Sequence, residues 1–414
     1  MLKLSDNSSI GVFEAITKFP PFLLSHIYSL YALLKKILRF SGTIRMIIGS
    51  LIFLSQSITP YRMVSTALSG LGVYTPTRVL SNEDLVKILA ASGQQTSVGW
   101  IESHTGIRIR HIAAPHETNQ TMAVEAARMA INNQMSWQKS YPIDLIIFAT
   151  NTNERLFPSS ALFVHQQLFA QFGKDVISES ASGYDPSAGC GGINLALCQA
   201  DLTIKAGFSN SVLVIGSETL SRVADYSDRG TCILFGDGAS AYLCTAIDSS
   251  SHGFRGHRLS SNGSLQNLLG AVVKDRVVLP DNLDGEVQHV TGPTLVMDGG
   301  KVHEFVLREI EKIISGFQSD YQLNPERISL DRISSIICHQ ANQRMFERIG
   351  RKYPVFLERF ISTIAECGNT STALQGPPLQ IARNRARPGD FILMIGFGAG
   401  MTVGANLYRL PTAD

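Results

Sequence analysis

The sequence lacks cysteines at metal-binding or disulfide-framework spacing. Its six, Cys190, Cys198, Cys232, Cys244, Cys338 and Cys367, form no CxxC, and several lie inside apolar segments. A zinc site is therefore not expected, and a reducing compartment, the cytoplasm, fits better. An excess of one charge is also missing, since 36 Lys and Arg face 34 Asp and Glu for a net +2. With no basic block interleaved with aromatics, nucleic acid is not an expected partner. No apolar run reaches the roughly 18 to 20 uninterrupted residues that a membrane span needs. Nor is there a dinucleotide fingerprint: in Gly396-Phe397-Gly398-Ala399-Gly400, Met401 stands where the last glycine of GxGxxG is required. Gly236-Asp237-Gly238 has no Lys-Ser or Lys-Thr after it, so it reads as a turn rather than a phosphate loop. No cofactor and no metal is expected.

What is present begins with an apolar N-terminal extension, residues 1–62. From Val12 to Met63 it is apolar and aromatic, with Pro20 and Pro21 interrupting one run. Lys35, Lys36, Arg39 and Arg45 separate that run from a second, Met46 to Ile58. Neither the basic start nor the cleavage site of a signal peptide is clear. Three readings stand: a membrane-surface or targeting helix pair, an ordered extension packed on the core, or sequence upstream of a native start at Met63.

Past Met63 the chain alternates strands and helices. Ile143 to Thr150, Ser211 to Gly216, Ile333 to Cys338 and Asp390 to Ile395 are short, β-branched and nearly all apolar, as strands buried on both faces are. Met122 to Asn133, Gly192 to Ala206, Lys301 to Phe317 and Asn342 to Tyr353 read as helices. The second of these is apolar almost all round, which predicts burial, and Gly207 ends it. The expectation is an α/β layered protein with a mixed sheet. Two halves of similar layout, 63–236 and 237–414, would join near Gly236-Asp237-Gly238.

Several residues are placed for chemistry. Cys190, in Ser187-Ala188-Gly189-Cys190-Gly191-Gly192, sits where a glycine-rich turn opens into a helix, and first-turn amides and the helix dipole favour a thiolate there. His339 follows the strand Ile333 to Cys338, at the strand end where α/β sheets place their sites, although a lone histidine also serves as a core or capping residue. Asn369 lies in a polar loop where asparagine is commonly a turn or cap residue. The glycines after Asp390 to Ile395 can bring a backbone amide close to a reacting carbonyl.

Read in order, these pieces fit one family. From Met63 onward the chain resembles the β-ketoacyl-acyl-carrier-protein synthase III family of the thiolase superfamily. The resemblance is carried by Thr105-Gly106-Ile107-Arg108 with His111-Ile112-Ala113-Ala114-Pro115, the cysteine turn, Asp228-Arg229-Gly230-Thr231 running to Phe235-Gly236-Asp237-Gly238-Ala239, His339-Gln340-Ala341-Asn342, Gly368-Asn369-Thr370-Ser371 and Gly396 to Gly400. It implies a thiolase-like fold, two similar α/β halves packed as a five-layered α-β-α-β-α core. It also implies decarboxylative Claisen condensation in fatty acid or related biosynthesis, with acyl-CoA or acyl-carrier protein as donor, malonyl-acyl carrier protein as acceptor, and a homodimer as the working form.

By motif position the resemblance makes Cys190 the nucleophile, His339 and Asn369 donors to the malonyl enolate, and the amides of Cys190 and Ala399 the oxyanion hole. Trp100 and Arg229 match residues that sandwich the adenine of coenzyme A, Arg344 a basic residue at the tunnel mouth, and Phe157 a residue that reaches into the partner subunit's acyl tunnel. Asparagine at 369 favours decarboxylative chemistry over a hydroxymethylglutaryl-type synthase, which uses an acid. Departures stand at His104, where an arginine is common, at His303 and Glu304, and in Lys274 to His289, which has no clear counterpart. The alternatives are an acyltransferase of the same fold, which would keep Cys190 and His339 but tends to lose the asparagine, and a non-catalytic partner subunit, which would lose the cysteine.

Overall fold

A computed structural model of the chain describes residues 64–135, 140–248, 252–280 and 286–411. The extension expected over 1–62 lies outside the described residues. Strand β1 (Ser65–Tyr74) is followed by a short antiparallel hairpin, β2 (Arg78–Ser81) with β3 (Ile109–Ile112). The first large sheet continues with β4 (Ile143–Ala149), β5 (Ile177–Tyr184), β6 (Ser211–Thr219) and β7 (Asp237–Ile247), in the order β1-β7-β6-β4-β5. After β8 (Gly253–Ser261) comes a separate hairpin, β9 (Leu269–Val278) with β10 (Gln288–Met297). Then β11 (Ile333–Cys338), β12 (Phe391–Gly398) and β13 (Thr402–Arg409) complete a second sheet ordered β11-β12-β13-β8.

The two sheets repeat one pairing scheme. β1 is antiparallel to β7, β7 to β6, and β6 is parallel to β4. Likewise β8 is antiparallel to β13, β13 to β12, and β12 is parallel to β11. This moves the expected junction at 236/237. Asp237 is the first residue of β7, paired with Thr219 of β6, so the first sheet needs the chain through Ile247. The changeover between sheets falls between Ile247 and Gly253.

Side-chain alternation explains why the central strands are apolar throughout. Ile146 and Phe148 of β4 and Leu213 and Ile215 of β6 face α1 (Asn119–Asn132) and α2 (Ser160–Phe172), packing on Ala126, Ala130, Val164 and Leu168. Ile147, Ala149, Val212 and Val214 face the other way, onto α3 (Gly192–Lys205). A strand with period-two side chains and a helix layer on both faces has no polar face to keep. On the second sheet, Ile336, Cys338, Leu393 and Ile395 pack against α4 (Gly299–Gly316) and α5 (Gln343–Lys352), while Ile337, Ile392 and Met394 meet α3 and α6 (Gly376–Arg385). The layers are thus α1/α2, first sheet, α3/α6, second sheet, α4/α5, the five-layered thiolase-like arrangement.

Local predictions hold with shifted ends. Gly207, at φ +77°, stops α3 and donates its N–H to Ile204 at 2.9 Å. Burial around α3 is less complete than its composition suggests, because Leu202 is 57% exposed. Asn342 lies outside α5 as its cap, accepting the Arg344 N–H at 2.9 Å. No helix among the described residues is long and apolar enough to cross a membrane.

Candidate active site

Three chain segments converge where the two sheets meet. The turn before α3 supplies Cys190, the end of β11 supplies His339, and the loop before α6 supplies Asn369. All three line one cavity of about 300 Å³, together with Gly398 and Ala399. Most of its remaining wall is apolar, with Leu220, Val223, Leu295, Met297, Phe305 and Phe397 among the lining residues, and Asn151, Ser187 and Ser371 add polar groups.

The cysteine turn and the glycine turn after β12 touch backbone to backbone. A Cβ on Gly189 would stand 2.3 Å from the Ala399 nitrogen, and one on Gly398 would stand 2.2 Å from the Cys190 nitrogen. Both positions therefore exclude a side chain, and Gly189 also has φ +60°. Thr402 ties the turns together, its hydroxyl donating to the Ala188 carbonyl at 2.8 Å. The expected oxyanion amides, Cys190 and Ala399, are adjacent by construction.

The helix-start argument for Cys190 needs correction. A single 3-10 turn, Gly189–Gly191, leads into α3, and Gly191 caps it with no side-chain bond. Burial nevertheless pushes the thiol up to about 12, opposed by the neighbouring Ser371 hydroxyl and a backbone amide, with the negative charge of Glu218 adding to the rise. A helix end contributes about 0.3 to 1 kcal/mol, less than one pKa unit, and does not offset that desolvation. The resting group is a thiol.

His339 is 2% exposed, and burial lowers its imidazole to about 3, so the ring is neutral. Phe397 meets it edge-on at 4.9 Å between centroids, and its backbone N–H donates to Ile395 at 2.7 Å. The buried Nδ1 has no hydrogen-bond partner, which leaves that ring nitrogen unengaged. Asn369 is clamped on both sides of its backbone: its N–H donates to Leu234 at 2.8 Å and its carbonyl accepts from Gly236 at 3.0 Å. Ser371 donates its N–H to Asn369 Oδ1 at 2.9 Å, which fixes the amide and leaves its NH₂ as the available donor. The site thus offers a thiol, two neutral side chains and two backbone amides around one apolar cavity.

Glu218 and Ser371 carry no role in the sequence reading, yet both belong here. Glu218 is fully buried at the end of β6 and accepts from Asn151, Thr152, Ser371 and Thr372. The signal was a carboxylate closing an otherwise apolar strand, Val212-Leu213-Val214-Ile215-Gly216-Ser217-Glu218.

The expected coenzyme A residues group elsewhere. Trp100, Arg229 and Arg344 do not line the cavity. Arg229 lies 4.3 Å over the Trp100 ring, and His104 stacks on the same ring at 4.1 Å and 19°. Arg344 donates to the Ser103 carbonyl at 2.6 Å, holding it beside the same helix, Val98–Thr105. Phe157 is 82% exposed and also outside the cavity of this single chain. The unmatched stretch Lys274 to His289 spans the ends of β9 and β10, and it is the other end of that hairpin, Leu269, Gly270, Ala271, Leu295 and Met297, that meets the cavity. Among the described residues no cluster of His, Cys, Asp or Glu is arranged for a metal ion.

Comparison with known proteins finds a single family. Residues 184–263 match the family model described as 3-oxoacyl-[acyl-carrier-protein (ACP)] synthase III, and residues 323–410 match its C-terminal model. The β-ketoacyl-[acyl-carrier-protein] synthase III of Thioalkalivibrio sulfidiphilus is 35% identical over 349 residues, 84% of this chain and 100% of that protein. Its counterpart from Ehrlichia ruminantium is 33% identical over 350 residues, again 84% and 100%. The crystal structure of 3-oxoacyl-[acyl-carrier-protein] synthase III from Aquifex aeolicus superposes with a TM-score of 0.69 at 35% identity, covering 83% of this chain and 99% of that one.

Proposed function

The chain belongs to the β-ketoacyl-[acyl-carrier-protein] synthase III family and is a condensing enzyme of fatty acid biosynthesis, and from that premise we propose how its residues do the work. Cys190 attacks an acyl thioester, forms an acyl-enzyme and releases the carrier thiol, which splits one hard carbon–carbon step into two easier ones. A malonyl group on acyl carrier protein then enters and loses carbon dioxide. Neutral His339 and the Asn369 NH₂ donate to its thioester oxygen as that becomes an enolate. Two uncharged donors stabilise the developing charge without firmly pairing the substrate carboxylate beforehand. The carbanion attacks the acyl carbon on Cys190, the bond from that carbon to the Cys190 sulfur breaks, and the 3-oxoacyl chain leaves on its carrier while the cysteine takes up a proton; the amides of Cys190 and Ala399 hold the oxyanion in both half-reactions.

The convergence of Cys190, His339 and Asn369 on one apolar cavity carries this reading. The same reading makes the enzyme an acyltransferase of the cytoplasm with acyl carrier protein as its partner. It also makes a homodimer the working form, in which exposed Leu156 and Phe157 meet a second copy. Intact-mass analysis after incubation with acyl thioesters on coenzyme A and on carrier protein tests it. An acyl adduct on the native chain and none on Cys190→Ala is expected, followed by a 3-oxoacyl product once malonyl-carrier is added. An adduct that persists in Cys190→Ala would overturn the assignment.

A further inference from the structure

Ser371 is a hub that the condensation scheme leaves without a task. It is buried and holds φ +52°, the left-handed region that a side chain rarely adopts. That conformation sends its two polar groups in useful directions. Its N–H fixes the Asn369 amide, its hydroxyl donates to Glu218 Oε1 at 3.0 Å, and Ser371 and Cys190 line the same cavity, with the hydroxyl near enough to bear on the ionisation of the thiol. Strain of this kind persists where the surroundings over-determine it, and it gathers at sites that act.

Glu218 is an unusual partner for such a hydroxyl. It is fully buried, and each of its donors is neutral: the Asn151 backbone N–H at 3.0 Å, Asn151 Nδ2 at 2.7 Å, Thr152 Oγ1 at 2.8 Å, Ser371 Oγ and Thr372 Oγ1 at 3.0 Å. With Thr150 Oγ1, which donates at 3.3 Å, five residues from the end of β4 and the turn before α6 are assembled around one carboxylate. A group that served only to fill space would be cheaper as a neutral amide, because a buried charge without a counter-charge is costly. Meanwhile the nucleophile is a half-buried thiol, which must lose its proton before or during attack.

We propose that Glu218, acting through Ser371, accepts the Cys190 proton during acylation. The inference rests on Cys190 being the nucleophile. As Sγ bonds to the acyl carbon, its proton passes to Ser371 Oγ and the hydroxyl proton of Ser371 passes to Glu218 Oε1. When the bond from the acyl carbon to the carrier sulfur breaks, the proton returns by the same route to the departing sulfur. The relay ends the half-reaction as it began, with no other reactant. In this relay Ser371 serves the reacting sulfur directly; Glu218 acts through it and is a positioning residue.

The test is the pH dependence of Cys190 alkylation by iodoacetamide, a small neutral electrophile, read by intact mass and peptide mapping. A proton acceptor and a bystander charge predict opposite signs. Removing an acceptor in Glu218→Gln is expected to slow alkylation about 100-fold between pH 6 and 8, the low end of the range for general bases, and to leave a rate that simply climbs with pH. Removing a mere negative charge lowers the thiol pKa and speeds alkylation instead. Glu218→Asp is expected to recover part of the native rate. Should Glu218→Gln fail to fold, Ser371→Ala interrupts the relay while Glu218 keeps its other donors, and the same slowing is expected. An unchanged or faster rate in either folded variant overturns the proposal. Because the probe is not a substrate, this result stands apart from the condensation assay, in which failure of the functional reading would appear as no acyl adduct at all.

Discussion

Gly398 approaches Cys190 so closely that a Cβ on the glycine would sit 2.2 Å from the Cys190 amide nitrogen. Gly398→Ala therefore has to push apart the two turns that carry the proposed oxyanion amides. Loss of one oxyanion donor typically costs about 100- to 1,000-fold in rate, and a loss of that size is expected in acyl-adduct formation. Ala399→Gly should keep most of the activity, since the donor there is the backbone. The contrast is read by comparing initial rates of adduct formation by mass in the two variants.

Burial sets the pH behaviour of His339. Its folded value, lowered to about 3, lies below the ordinary 6.5, so the unfolded chain takes up a proton first as pH falls. The stability this gives is complete above about pH 6.5 and declines toward pH 3. Between pH 7 and pH 4 the decline from this group alone is about 3 kcal/mol. His339→Gln should shrink that acid-side loss. Denaturant unfolding of both proteins at the two pH values checks it, and an equal decline in both would count against a neutral buried ring.

Asn369→Asp separates the half-reactions. The carboxylate still accepts the Ser371 N–H, so the loop should persist, but it offers no donor and repels an enolate. Condensation is expected to fall by about 100-fold or more, while Cys190 still takes an acyl group. Product assay beside intact mass distinguishes the two, and a variant that lost both would point to a collapsed loop.

Trp100 is stacked with Arg229 at 4.3 Å and with His104 at 4.1 Å. An intervening adenine requires roughly 7 Å between the groups flanking it, twice a van der Waals contact. The expected outcome is that acyl-CoA performs no better than the same acyl group on pantetheine. Trp100→Ala should then change kcat/KM for either donor by less than about threefold. A tenfold or larger advantage of coenzyme A, lost in Trp100→Ala, would show that the stack opens for adenine.

Much of the fold was legible because the central strands are sandwiched, and double burial writes itself as unbroken apolar segments. Ile333 to Cys338 was bounded correctly for that reason. The junction was misplaced because Gly236-Asp237-Gly238 looks like a domain break, whereas Asp237 is anchored: it accepts from Ser221 and from the Ala113 N–H and starts β7. Cys190, His339 and Asn369 were legible through their motifs, each a glycine turn or strand end. The protonation state of Cys190 was not, since a helix start is local and the desolvation that outweighs it comes from the whole fold. Glu218 escaped because its significance lies in donors from Asn151 and Thr372, far away in sequence. The closed stack at Trp100 depends on side-chain placement that no motif records.

The repeated pairing scheme has one more consequence. In the first half, the 3-10 turn Gly189–Gly191 precedes α3 and then β6; in the second, the 3-10 turn Ser371–Ala373 precedes α6 and then β12. The turns that carry Cys190 and Ser371 are thus counterparts in the two halves. The Cys190 thiol and the Ser371 hydroxyl, both lining one cavity, therefore come from repeats of one local motif, so a single ancestral turn, duplicated and then differentiated, suffices to provide both the proposed nucleophile and the hydroxyl proposed to serve it.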